Sequence, residues 1–118
     1  MPNIFDYHRI YRRRVTGAGK NGHAVRLSLR RIGARKLRVL THVTIENTED
    51  NYDKVRIGIR AGAVDHYLDE LDSPAEDELA VFRSDIVLGE GDVFFAELTG
   101  TRDDDPLIMC CAGWEQDL

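Results

Sequence analysis

The chain has 118 residues, of which 42% are hydrophobic and 31% charged, with a formal net charge of −5. That is one domain's length, enough to bury roughly two-thirds of the unfolded surface in a single core, and the composition excludes wholesale disorder. No apolar run reaches the ~20 residues of a membrane-spanning helix, and the opening MPNIFDYHRIYRRR lacks the apolar stretch of a secretory signal, so no membrane contact is expected.

The net charge conceals a polarity along the chain. Residues 1–45 carry eleven Lys and Arg against the single acid Asp6, a charge of +10, whereas residues 46–118 carry five against twenty acids, a charge of −15. Such asymmetry points to an interaction, either with a charged partner or between the two halves.

Residues 1–11 scatter Ile4, Phe5, Tyr7, Ile10 and Tyr11 before reaching Arg12-Arg13-Arg14. One helical turn, an edge strand and an arm lying on another subunit all fit this pattern, and residues 1–14 are set apart as a candidate basic arm. VTGAGKNGHAVRLSLR reads as two strands joined by a glycine-rich hairpin loop, with Val25, Leu27 and Leu29 on one face. In LRVLTHVTIEN, Leu37, Val39, Thr41, Val43 and Ile45 alternate with Arg38, Leu40, His42, Thr44 and Glu46. KVRIGIR is another strand, and AGAVDHYLDEL continues as the next after an Ala-Gly-Ala kink. DSPAEDE is a loop, followed by the short strands ELAVFR, DIVL, VFFAEL and LIMCCAGW. Eight or nine short strands with turn signals every 8–12 residues or so predict an all-β chain: one β-sandwich, jelly-roll-like or immunoglobulin-like, over residues 1–118.

The glycine pairs decide whether phosphate chemistry is present. In LGEGDVFFAELTG, a dinucleotide loop would need a third glycine and a following helix, but Val93, Phe94 and Phe95 favour a strand. Gly89 and Gly91 are therefore read as a hairpin turn with positive φ, and Asp92 as a local hydrogen-bond acceptor. GAGKNG fails as a phosphate loop because Asn21 follows Lys20 and Arg14 stands where the first glycine belongs. Asp103, Asp104 and Asp105 are consecutive, whereas calcium loops alternate their acids, so these three read as a solvated loop tip. The four histidines are isolated, and no metal or cofactor is expected. Cys110 and Cys111, as sequence neighbours, read as reduced and buried. No serine elbow or other nucleophile constellation is present, so the chain is expected not to be an enzyme.

The succession KVRIGIRAGAVDHYLDEL, SPAEDEL, DIVLGEGDVFFAELTGT and LIMCCAGWE resembles small β-sandwich proteins of tailed bacteriophages, the decoration and head-neck accessory proteins. The likeness covers residues 37–115 and rests on the Gly-Asp turn, the hydrophobic strand, the Thr-Gly loop and the closing Gly-Trp-Glu. It implies a non-enzymatic virion structural protein, made in the host cytoplasm, that binds capsid or neck subunits or copies of itself in a homo-oligomer or array. Arg12, Arg13 and Arg14 are the candidate partner-binding residues, since arginine pairs bidentately with carboxylates. Trp114 is a further candidate, as an exposed platform. The alternative is a carbohydrate-binding or adhesion module using Trp114, Tyr52 and Tyr67. Nucleic acid is not an expected partner, because the overall charge is acidic and no aromatic-basic fingerprint appears.

Overall fold

Period-two alternation lets a strand bury one face only, so two sheets must close on each other to make a core. A computed structural model of the chain describes residues 8–118, and these form strands and no helix. The nine strands are β1 (His8–Ala18), β2 (Val25–Ser28), β3 (Lys36–Asn47), β4 (Lys54–Ala61), β5 (Val64–Asp72), β6 (Ala80–Phe82), β7 (Ile86–Leu88), β8 (Val93–Thr99) and β9 (Pro106–Asp117). The first sheet has the order β1-β9-β3, with β6 and β7 both paired to the far side of β3; the second has the order β2-β8-β4-β5. The all-β sandwich expected from the sequence is what the chain forms.

Every pairing is antiparallel, and the pairings nest. With β6 and β7 counted as one strand interrupted at residues 83–85, the first strand pairs with the last, the second with the next to last, and so on to the central β4–β5 hairpin. This is the connectivity of a jelly roll, which decides between the two sandwich topologies.

Nesting also sends most consecutive strands to opposite sheets. The glycine-rich segments at 19–24 and 89–92 are therefore crossovers between sheets, not hairpins. The turn chemistry itself is as expected at 89–92, where the Gly89 amide donates to Asp92 Oδ2 at 2.8 Å. Only Gly91 there takes a positive φ, +85°; Gly89 does not.

Leu40, Val43, Ile45, Leu107 and Met109 of the first sheet pack against Leu27, Val55, Ile57, Phe94, Ala96 and Leu98 of the second. Each such side chain contributes about 1.5–3 kcal/mol through burial. At one end of this core Asp105 is 1% exposed and fully engaged, which corrects the reading of 103–105 as a solvated tip: only Asp103 and Asp104 are exposed. Asp105 Oδ2 accepts from Asn47 Nδ2 and from the Arg102 amide, both at 2.8 Å, so it closes the β8–β9 connection onto the end of β3.

Candidate protein-binding face

The expected arm does not extend through residue 14. Residues 8–14 belong to β1, which pairs with β9 from His8↔Gln116 to Ala18↔Pro106; residues 1–7 lie outside the described residues. Arg12 and Arg14 alternate with Arg13 across the strand. Arg13 shares its pairing row with Cys111 and Val43, both buried in the core, and so stands on the inward side at the rim. Arg12 shares a row with Ala112 and His42, and Arg14 with Cys110 and Thr44, on the outer face.

A β-bulge shapes that face. The register of β3 against β9 shifts between Leu40 and His42, which leaves Thr41 as the extra residue. Its hydroxyl donates to the Ala112 carbonyl at 3.4 Å. Gly113 sits opposite Leu40, and a Cβ there would collide with the Val39 carbonyl oxygen and lie 2.9 Å from Leu40 Cα. The bulge needs this glycine, and one extra residue inverts the faces on its two sides. Val43 and Ile45 point inward after it; before it, Leu40 points inward and Val39 outward.

Val39 consequently lies in an outer-face row that runs Ile10, Trp114, Val39, Val87 across β1, β9, β3 and β7. Ile10 is 77% and Val87 57% exposed, and Val39, although buried, is outside the contiguous core. Trp114 is half-buried and lies within β9, not at the strand's end as the sequence reading had it. Two rows further along, Val81 joins Thr44, Cys110 and Arg14. Between Arg12, Arg14 and His42 the small side chains of Cys110 and Ala112 leave a shallow depression of about 390 Å³. Cys110 is thus exposed, a correction to its expected burial, while Cys111 is buried and its thiol is pushed up to about 12 by desolvation.

The second sheet's outer face is closed by its own side chains. Phe95, 1% exposed yet outside the core, lies under the Arg26 guanidinium at 4.0 Å and against the edge of the Tyr67 ring at 5.7 Å. Arg26 bridges Asp65 at 2.7 Å and Glu97 at 2.9 Å, and Arg60 adds a bond to Asp65 at 2.9 Å. The hydrogen bond from Arg26 holds the Asp65 carboxyl below the usual carboxylate range, and the same bond raises Arg26.

Much of the charge polarity is therefore settled inside the domain. Arg9 reaches Asp117 at 3.1 Å, Arg38 reaches Glu115 at 3.1 Å, and Arg26 has the two carboxylates above. Arg12, Arg13 and Arg14 differ: among the described residues no carboxylate lies within ion-pair distance of any of them. The sequence singled out the arginines and Trp114, and the fold brings Arg12, Arg14 and Trp114 onto one face. Ile10, Val39 and Val87 were missed, because only the bulge reveals their alignment. The three aromatics of the sugar-binding alternative do not converge. Tyr52 is buried in the β3–β4 connection, Tyr67 is on the outer face of the second sheet, and Trp114 is on that of the first.

A second cluster sits at the Asp105 end, where carboxylate oxygens of Glu49, Asp50 and Asp105 lie within 4.8 Å of one another. Among the described residues this is the one grouping with the donor atoms to hold a cation. Hydrogen bonding with Asp105 raises Asp50; burial opposes ionised Asp105, but its bonds with Asp50, the Arg102 amide and Asn47 prevail and hold it low.

No protein-family model and no curated protein matches the sequence. Solved structures do share the fold. A capsid structure of the Helicobacter pylori bacteriophage KHP30 superposes with a TM-score of 0.55 at 16% identity, covering 92% of each chain. A candidate α-L-fucosidase of Bacteroides thetaiotaomicron gives 0.51 at 10% identity over 84% of this chain; the chain spans 21% of that protein's length. A family 29 carbohydrate-binding module, CBM29-2, gives 0.45 at 12% identity over 94% of this chain and 76% of the module.

Proposed function

We propose that this chain is a non-enzymatic structural protein of a bacteriophage virion, a capsid decoration or head-neck accessory protein, made in the host cytoplasm and carried in the particle. It docks the outer face of the β1-β9-β3 sheet on a neighbouring virion protein. The observation that carries this reading is the apolar row Ile10–Trp114–Val39–Val87, whose end members Ile10 and Val87 are exposed, on a face whose flanking arginines pair with no carboxylate among the described residues. Size supports it. Four strands about 4.8 Å apart, the first of them eleven residues long at about 3.3 Å each, present roughly 700 Å². A standard protein interface takes about 800 Å² from each partner. The same-length likeness to a bacteriophage capsid structure supports the fold that such a role uses.

In this reading Trp114 anchors the contact, with Ile10 and Val87 excluding water around it, and Arg12 and Arg14 meet carboxylates on the partner. The test is co-sedimentation with particles assembled in cells that also make the proteins encoded beside this chain. Wild-type chain should be retained on particles, and Trp114→Ser should lose at least tenfold in occupancy without loss of fold. Absence of wild-type chain from particles, or equal retention of the variant, would refute the docking face.

A further inference from the structure

We infer that copies of this chain join edge to edge in a head-to-tail manner, with β1 of one copy seated against the groove between β5 and the β6–β7 connection of the next. This goes beyond the docking face: it uses the lateral edges of the sandwich, and either reading can fail alone.

The edges are complementary. β1 ends the first sheet and β5 ends the second, so each has one side of its backbone unpaired among the described residues. They lie on opposite flanks, because β1 packs beside β2 whereas β5 and β6–β7 line a common groove. β1 carries Arg9, Arg12, Arg13 and Arg14 and no acid; β5 carries Asp65, Asp69, Glu70 and Asp72 and no Lys or Arg.

Internal pairing leaves an uncompensated remainder on each side. Arg9 is satisfied by Glu115 and Asp117, while Arg12, Arg13 and Arg14 have no carboxylate within reach among the described residues. On β5, Asp65 is held by Arg26 and Arg60, Glu70 by Lys54 and Arg56, and Asp72 by Lys54. Among the described residues Asp69 has no such cation. It lines the groove with Asp85, which is likewise in no ion pair among the described residues.

The groove has a volume of about 410 Å³ and an apolar floor of Ile57, Ile59, Phe82 and Ile86. Arg83 lines it too, without an ion pair to either aspartate. Arg13, at the inward rim of β1, is placed to meet Asp69 and Asp85 of a second copy, with Arg12 and Arg14 beside it. Because the two surfaces differ and lie on opposite flanks, one pair of copies cannot satisfy both at once, so the contact is heterologous: it propagates to a ring or an open array and cannot close as a two-fold dimer.

Light scattering coupled to size exclusion tests this on the full chain. At low ionic strength the wild type should run at a multiple of its 13.4 kDa mass and fall to 13.4 kDa as salt rises. Asp69→Arg with Asp85→Arg, and separately Arg12→Glu with Arg13→Glu and Arg14→Glu, should each give 13.4 kDa alone. An equimolar mixture of the two should recover the wild-type mass, since alternating copies again present opposite charges. Should a reversed chain fail to fold, Asp69→Asn with Asp85→Asn keeps the side-chain shape and should show the same loss of mass. A wild type that is monomeric at every salt concentration, a closed dimer, or a folded mixture that stays monomeric would overturn the inference. Trp114→Ser should leave self-association intact; loss of mass in that variant would move the contact to the outer face and overturn the edge assignment.

Discussion

Replacing Asp105 with alanine should be far more damaging than replacing Asp103, although both belong to one run of three aspartates. Asp105 Oδ2 accepts from Asn47 Nδ2 and from the Arg102 amide at 2.8 Å, and Asn47 is fully buried. Truncation leaves two donors unsatisfied, each at about 1–3 kcal/mol. Removing a carboxylate from beside Asp50 returns part of that, so the net cost is about 2–4 kcal/mol. For a domain of this length that is a fall in melting temperature of roughly 8–20 °C. Asp103 accepts from the Asn21 amide at 2.9 Å and from Asn21 Nδ2 at 3.3 Å, but both residues are exposed and water takes over. Asp103→Ala should stay within about 1 kcal/mol of wild type. Calorimetry of both variants under one condition is the assay. Equal melting temperatures for the two would refute the assignment of Asp105 as a buried tie between the β8–β9 connection and β3.

Gly113→Ala should cost about 1–3 kcal/mol or more, read by urea denaturation, because its Cβ meets the backbone of Val39 and Leu40 at the bulge. Asp65 is held low by Arg26, so its contribution is complete above the unfolded carboxylate pKa of about 3.9 and is lost as pH falls through the lower folded value. Arg26→Gln should therefore flatten the acid limb of melting temperature against pH; an unchanged limb would contradict the pairing. A thiol reagent should modify Cys110 alone in the native chain, and Cys111 only on unfolding. Two rapid equivalents under native conditions would contradict the burial.

The sandwich was legible because alternation survives in nearly every strand. Phe94, Ala96 and Leu98 face the core as the pattern says, with Phe95 and Glu97 opposite. What the pattern could not carry was the bulge at Thr41. Strict alternation through 37–47 puts Val39 with Val43 and Ile45, but the extra residue puts Val39 outside with Trp114, and the candidate face depends on that inversion. Turn chemistry was legible at Gly91 and Asp92, yet a turn between sheets and a turn within one sheet use the same residues, so crossovers were read as hairpins. Asp105 was missed because its neighbours Asp103 and Asp104 are solvated, and sequence adjacency does not show which carboxylate the fold draws in. The charge polarity was visible, but its partition was not. Arg26 and Arg38 find carboxylates across the sheet, whereas Arg12, Arg13 and Arg14, on the edge strand, find none among the described residues.

Trp114 is the sole tryptophan and lies in the middle of the proposed docking face, so it reports directly on whether that face is used. A chain labelled with fluorotryptophan gives one fluorine resonance, whose shift and solvent isotope effect read the exposure of this side chain. Free chain should show partial exposure, and chain bound to particles should show a shifted, solvent-shielded resonance that reverts on release. A resonance that keeps its free shift and exposure while the chain is bound to particles would contradict docking through the β1-β9-β3 face.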